Sequence, residues 1–326
     1  CSRTPSLTLT VRFTAGAMRV VYDGVEDIQK LVGLSDQEIE DTDFGTYTQD
    51  QFFDDMFRIT QYRTDPDMAE ILVTTSLETL TWMRSKGIRF VPIYGRQAFK
   101  IDGKFKFWGG LTVETNGGGP GLYESLQEIT KREGIETLFE TRAMDLIYDG
   151  TAVKGVRVKQ GDSIKEFACK AVVMASGGFQ ANPEWRTRYL GPGWDLAKIR
   201  GTRFNTGDGI RMGTDIGAAT YGNWSGGHAV GWDRNAPEFG DLAVGDQFQK
   251  HSYPFFVMVN ATGKRFVDEG ADFRNYTYAK YGRVILEQPA QFAWQVLDSK
   301  VAHLKRDEYS IRQVTKVTAD TIEELA

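Results

Sequence analysis

Ala171-Val172-Val173-Met174-Ala175-Ser176-Gly177-Gly178-Phe179 is an apolar run closing on Ser-Gly-Gly, and further along stands Thr206-Gly207-Asp208-Gly209. A short apolar run predicts a buried strand. Glycines at its end predict a sharp turn that something approaches closely, because no side chain stands in the way. A cofactor is one candidate; a plain strand-to-loop turn is the other, and Ala-Ser-Gly-Gly by itself favours the turn. The surroundings make an ordered series. Gly134 to Phe139 reads as a strand after a helix, Ala143–Tyr148 and Ala152–Lys159 as a hairpin through Asp149-Gly150, and Lys165 to Cys169 as a third short strand.

Five segments in order carry a family resemblance: Phe13 to Arg19, Asn116-Gly117-Gly118-Gly119-Pro120-Gly121, Ala175 to Phe179, Asn205 to Ile210, and Asn260 to Glu269. As a set they resemble the flavoprotein subunits of fumarate reductases and succinate dehydrogenases, most closely the tricarballylate-dehydrogenase-like branch. The resemblance implies FAD, held along Thr14, Ala15, Gly16, Ala175, Ser176, Gly177, Gly178, Thr206, Gly207, Asp208 and Gly209. The fold it implies is α/β: an incomplete FAD-binding nucleotide domain over 1–224 with an inserted, partial α+β capping domain over 225–326.

The family opens with a strand and a G-x-G-x-x-G turn holding the pyrophosphate on a helix N-terminus, and this sequence has no such pattern. Residues 1–11, Ser/Thr-rich and starting at Cys1, do not resemble it, and the chain stops within a helical pattern after Thr318. The expectation is the middle of a larger enzyme, with its first βαβ unit missing.

Composition narrows the classes. A 41% hydrophobic and 25% charged chain of 326 residues has the makings of a globular core rather than disorder. Its net charge of -5, with both signs interspersed, gives no footprint for nucleic acid. No run reaches the length of a membrane span, and cytoplasmic location is expected. Two cysteines, Cys1 and Cys169, exclude a disulfide framework and multi-cysteine metal sites.

Helical spacing predicts an amphipathic helix in the first half of Asp23–Asp43, another over Asp50–Phe57, and one over Asp67–Lys86 stopped by Gly87. Ile88–Pro92 and Gly103–Trp108 read as strands. Trp82, Tyr94, Phe99, Phe105, Phe107 and Trp108 are read mainly as core, with a wall for the flavin ring as the alternative. The glycine loop before the Leu122–Arg132 helix offers backbone N–H groups to an anion or carbonyl, and resemblance puts Gly118 and Gly119 at the substrate. Asp208 reads either as the cap of the next helix or as a neighbour of the flavin.

Chemistry is expected between His228 and Arg274. A lone histidine is commonly a satisfied polar residue; by resemblance His228 holds a substrate carboxylate. Val257 to Asn260 and Arg265 to Glu269 read as a hairpin. Arg274 lies close to where the family keeps the arginine that exchanges a proton with substrate, one residue further from the Asp-Glu pair. A salt bridge to Asp272 or Glu269 is the plainer reading. Glu269 is a further substrate-side candidate. A guanidinium acts as a proton carrier only in a dry site with a carboxylate relay. The family's relay precedes the hairpin, where this chain has Gln249, Lys250, His251 and Ser252.

The implied reaction is hydride transfer between a polycarboxylate carbon and flavin N5, of the tricarballylate-to-cis-aconitate type, with an electron-acceptor protein or a quinone-linked partner beyond it. No metal is expected. The alternatives are an inactive remnant of such a flavoprotein and a flavin dehydrogenase of a steroid or corrin-pathway substrate.

Overall fold

The computed structural model describes residues 10–326. The unmatched opening stretch, Cys1 included, lies outside the described residues as far as position 9. Two compact units divide the chain. The first holds the described residues through Gly178 together with Gly207–Asn223, and the second holds Phe179–Thr206 together with Trp224–Ala326. The sequence reading cut the chain once, at 224, whereas these units interleave. Among the described residues no helix is long and apolar enough to cross a membrane.

In the first unit Val20, Ile28, Leu31, Val73 and Val113 form the centre of the core. Val113–Thr115 is the middle strand of a small antiparallel sheet, between Ala17–Met18 and Phe90–Pro92. Two of the surrounding helices start on capping boxes, Ser35 with Glu38 and Thr48 with Gln51, each worth about 1 kcal/mol. The helix expected over Asp67–Lys86 is two, Pro66–Thr74 and Ser76–Lys86. The break has a cause: buried Ser76 Oγ donates to Val73 O at 2.9 Å and accepts from Val21 N at 3.0 Å, tying this point to the neighbouring chain. Gly87, at φ 112°, ends the second helix as its sequence position predicts. Of the aromatic group, Phe107 is core, stacked on Phe44 at 5.5 Å, while Trp82 and Trp108 are exposed.

The expected hairpin is present as part of a three-stranded antiparallel meander, Thr141–Tyr148, Val153–Gln160 and Ser163–Ala168. Asp149 Oδ1 closes its first turn by accepting from the N–H groups of Thr151 and Ala152, both at 2.9 Å. Two expected strands are corrected. Neither Gly134–Phe139 nor Ala171–Ala175 pairs with a neighbour among the described residues, and Val173 is 89% exposed. An apolar run becomes a strand only where another strand takes its N–H and C=O groups, and that partner is not encoded in the run itself.

The second unit is built on the antiparallel pair Val257–Asn260 and Ala293–Val296 and on the Arg274–Leu286 helix, with Tyr253, Met258 and Tyr281 at its core. The return strand expected over Arg265–Glu269 reduces to one bridge, Val259 to Arg265. Ala293–Val296, a partner distant in sequence, pairs along the opposite edge of Val257–Asn260.

Candidate functional site

In the first unit the structure brings the sequence-predicted residues together in two places. Gly119 N donates to Thr14 O at 2.9 Å, Thr115 N to Gly16 O at 3.0 Å, and Thr115 Oγ1 to Gly118 O at 2.9 Å, so Thr14, Ala15 and Gly16 lie against the start of the Gly118–Arg132 helix. A Cβ on Gly16 would overlap Thr115 Oγ1, and one on Gly119 would overlap the carbonyls of Val11 and Thr14. Close approach of chain to chain accounts for both glycines.

The second place joins the two segments that opened the sequence reading. Gly207 N donates to Gly178 O at 3.2 Å, and a Cβ on Gly209 would overlap Ser176 Oγ. Gly177 and Gly207 hold φ of 76° and 89°, the left-handed region that glycine tolerates. The expected cap is corrected: Gly207, not Asp208, is the N-cap of the Asp208–Asp215 helix, and the Asp208 carboxylate pairs with Arg142 at 3.0 Å. Thr206 belongs to the second unit, where its carbonyl accepts from Asn182 Nδ2 at 3.1 Å.

Neither helix start, at Gly118 or at Asp208, is capped by a side chain; at the first, Gly119 N is taken by Thr14 O and Pro120 has no N–H, so the donor set lies at the Asp208 start, with Ala175 to Gly177 exposed beside it. Uncapped N–H groups at a helix start are donors for phosphate or carbonyl oxygen. This donor set fits FAD.

The second unit gathers a different chemistry. Gly282 N donates to Ala229 O at 3.1 Å and Ala229 N to Ala279 O at 2.9 Å, docking the Arg274–Leu286 helix on the chain that follows His228. A Cβ on Gly282 would strike the Ala229 backbone, so glycine is required for this approach. The docking sets the Tyr278 ring edge-on to His228 at 5.3 Å and to His251 at 4.9 Å. His251 is buried, while His228 reaches solvent. Packed protein around His228, then Arg200, hold its imidazole below the usual histidine range, so it is neutral at pH 7.

Arg274 is the first residue of the same helix and half-buried. Its guanidinium donates to Asn275 Oδ1 at 3.0 Å, and among the described residues no carboxylate pairs with it. The salt bridge to Asp272 or Glu269 is not made. Burial, then the nearby Arg306, lower its pKa to about 10, while Tyr253, Tyr278 and Glu308 act in the opposite sense. Glu269 serves structure: it is 2% exposed, accepts from Met258 N at 2.6 Å, and takes Arg265 Nε at 2.8 Å. The sequence reading missed Tyr278, Gly282, Arg306 and Glu308. The only signal for Tyr278 was its spacing, one helical turn beyond Arg274.

A family model described as FAD binding domain matches residues 38–308. The chain belongs to this FAD-binding family. FAD is its cofactor, as the resemblance implied, and the relatives lie in the fumarate reductase and succinate dehydrogenase flavoprotein group. A probable fumarate reductase of Shewanella frigidimarina is 27% identical over 282 residues, covering 84% of this chain and 44% of that protein. An NADH:acrylate oxidoreductase of Vibrio harveyi is 28% identical over 271 residues, covering 80% of this chain and 25% of the relative. The chain thus spans less than half the length of these curated relatives. The crystal structure of a 3-ketosteroid-Δ4-(5α)-dehydrogenase from Rhodococcus jostii RHA1 superposes with a TM-score of 0.67 at 17% identity, covering 97% of this chain and 65% of that one. That likeness confirms the mixed helix-and-sheet fold of the FAD-binding flavoproteins.

Proposed function

We propose that this chain is part of an FAD-dependent oxidoreductase that interconverts saturated and unsaturated carboxylates, with a polycarboxylate of the tricarballylate kind as the substrate. The observation that carries this reading is Arg274, a half-buried guanidinium with no carboxylate partner among the described residues, one helical turn from Tyr278, whose ring contacts His228. A cation partly withdrawn from water is costly unless an anion meets it, and a guanidinium matches a carboxylate through paired N–H groups. The curated relatives act, by their names, on fumarate and acrylate, both carboxylates conjugated to a carbon–carbon double bond.

Bound FAD would supply hydride exchange at N5, held by the N–H groups at the Asp208 helix start and by the exposed Ala175–Gly177 loop. Arg274 would orient a substrate carboxylate and exchange a proton at the carbon next to the one that exchanges hydride. Neutral His228 would donate one hydrogen bond to a second carboxylate oxygen, with Tyr278 fixing the ring that does so. A protein or quinone-linked acceptor and a cytoplasmic setting belong to the same proposal.

The test is to purify the chain with added FAD, record the visible spectrum, and assay dye-linked oxidation of tricarballylate and succinate. A yellow protein that oxidises either acid supports the reading. A colourless protein that FAD cannot reconstitute points to an inactive remnant, and a yellow one that oxidises a 3-ketosteroid but neither acid overturns the substrate class.

A further inference from the structure

Three short strands in the first unit, Thr42–Asp43, Lys104–Phe107 and Ala98–Ile101, form a sheet with Lys104–Phe107 in the middle, parallel to the first and antiparallel to the last. Asp102 and Gly103, at φ 52° and 85°, make the tight turn of its hairpin. Side chains alternate between the two faces of a sheet, and residues directly opposite share a face. One face closes on the protein: Phe107 is buried, Phe105 lies against Tyr94 at 5.1 Å, and the Thr42 and Tyr94 hydroxyls bond at 3.1 Å. The other face points outward, with Asp43 beside Lys106, Lys106 opposite Phe99, and Lys104 opposite Ile101. Phe99 and Ile101 are 40% and 37% exposed, and Trp108, next in the alternation, is 45% exposed.

Charge is segregated across this face. Residues 36–43 hold five carboxylates and no basic residue, whereas residues 100–106 hold three lysines and one aspartate. The Asp36–Asp41 helix runs directly into Thr42–Asp43, so the acidic stretch borders the sheet on one side, the lysines stand in the middle, and Phe99 and Ile101 lie on the far strand. Lys106 reaches Asp43 at 3.6 Å in an exposed pair, the kind that contributes little. Asp36, Glu40 and Lys104 make no ion pair among the described residues.

We propose that this face is the interface of a homodimer, with Asp36, Glu40 and Asp43 of one copy set against Lys104 and Lys106 of the other, and with Phe99 and Ile101 withdrawn from water beside them. An acidic and a basic stretch side by side are complementary to a second copy turned about a two-fold axis, because each charge match is then made twice. Complementary potentials fix the register of two surfaces, and apolar side chains next to them supply the dry part of the contact. An anionic partner such as a lipid surface or a nucleic acid suits the lysines alone and is repelled by the five carboxylates at their border.

The test is sedimentation velocity of the full chain, in buffer containing FAD, over a series of concentrations at low and at high salt. Wild type is expected to dimerise, and high salt to weaken the dimer about tenfold by screening the exposed charges. Lys104→Glu with Lys106→Glu is expected to be monomeric, and so is Asp36→Lys with Glu40→Lys, because like charges then face each other. Mixing the two double variants is expected to restore a dimer, since each reversed stretch meets its reversed counterpart. That rescue separates complementarity from misfolding. Ile101→Ser is expected to weaken the dimer to the same degree at both salt concentrations. A monomeric wild type, a mixture that stays monomeric, or a dimer indifferent to both reversals would overturn the proposal. A monomeric wild type that co-sediments with vesicles of anionic but not of neutral lipid would overturn it in favour of a membrane surface.

Discussion

The His228 imidazole meets the Tyr278 ring edge-on at 5.3 Å, one helical turn beyond Arg274. Tyr278 also touches buried His251, at 4.9 Å, so one ring of the helix contacts both histidines. In the proposed site Arg274 and His228 would engage two carboxylates of one substrate as a clamp.

Surrounding protein atoms, then Arg200, lower the His228 pKa from 6.5, so it stays neutral at pH 7. In the unfolded chain it charges first as pH falls, so its contribution to stability is present above 6.5 and is lost below that value. Anion binding follows the opposite sense: once His228 gains a proton, succinate is held more tightly. Succinate affinity is expected to rise as pH falls in wild type relative to His228→Gln, measured by calorimetry. Identical pH profiles would remove His228 from the clamp.

Glu269 is expected to matter for stability alone. Its pKa is lowered because the bonds from Arg265 and Met258 N outweigh the largest single influence, burial, which pushes it up. A carboxylate with a depressed pKa stabilises the fold above the ordinary carboxylate range, and this support is lost as pH falls through the depressed value. Glu269→Gln should cost about 1–3 kcal/mol in urea unfolding at pH 7, less at acid pH, with succinate affinity unchanged.

Gly282→Ala adds a methyl group where the Ala229 backbone already stands. The expected cost is about 1–3 kcal/mol, and the helix should shift away from His228. With three histidines in the chain, the His228 ring protons can be assigned by substitution, and their ring-current shift from Tyr278 should shrink in the variant. An unchanged shift would show that the docking does not set the clamp.

Val173→Lys separates the two readings of the opening motif. A buried strand would not accept a lysine, whereas a side chain 89% exposed changes stability by no more than about 0.5 kcal/mol. A large loss in this chain would restore the strand.

Much of the fold was legible where the signal was local. Asp149-Gly150 specified its hairpin through one side chain and one left-handed glycine, and Gly87 stopped its helix in the same way. Pairing was not legible. Ala171–Ala175 carries the apolar pattern of a strand but no record of what would flank it, and Val257–Asn260 pairs along its length with Ala293–Val296 but meets the nearer Arg265–Glu269 in a single bridge. The site divides along the same line. His228 and Arg274 were named from motif order, and Gln249–Ser252 stands where the family keeps its relay. Glu308 comes to that segment from more than fifty residues away, and no spacing rule connects them.

Reoxidation of the chemically reduced flavin by fumarate, followed by stopped-flow absorbance in wild type and Arg274→Lys, tests the carboxylate site most directly. Wild type is expected to reoxidise promptly, and the lysine variant, equally yellow, at least about a hundredfold more slowly, because a point charge replaces a paired donor and proton carrier. Equal rates in two proteins of equal flavin content would contradict the assignment of Arg274 to the reacting substrate.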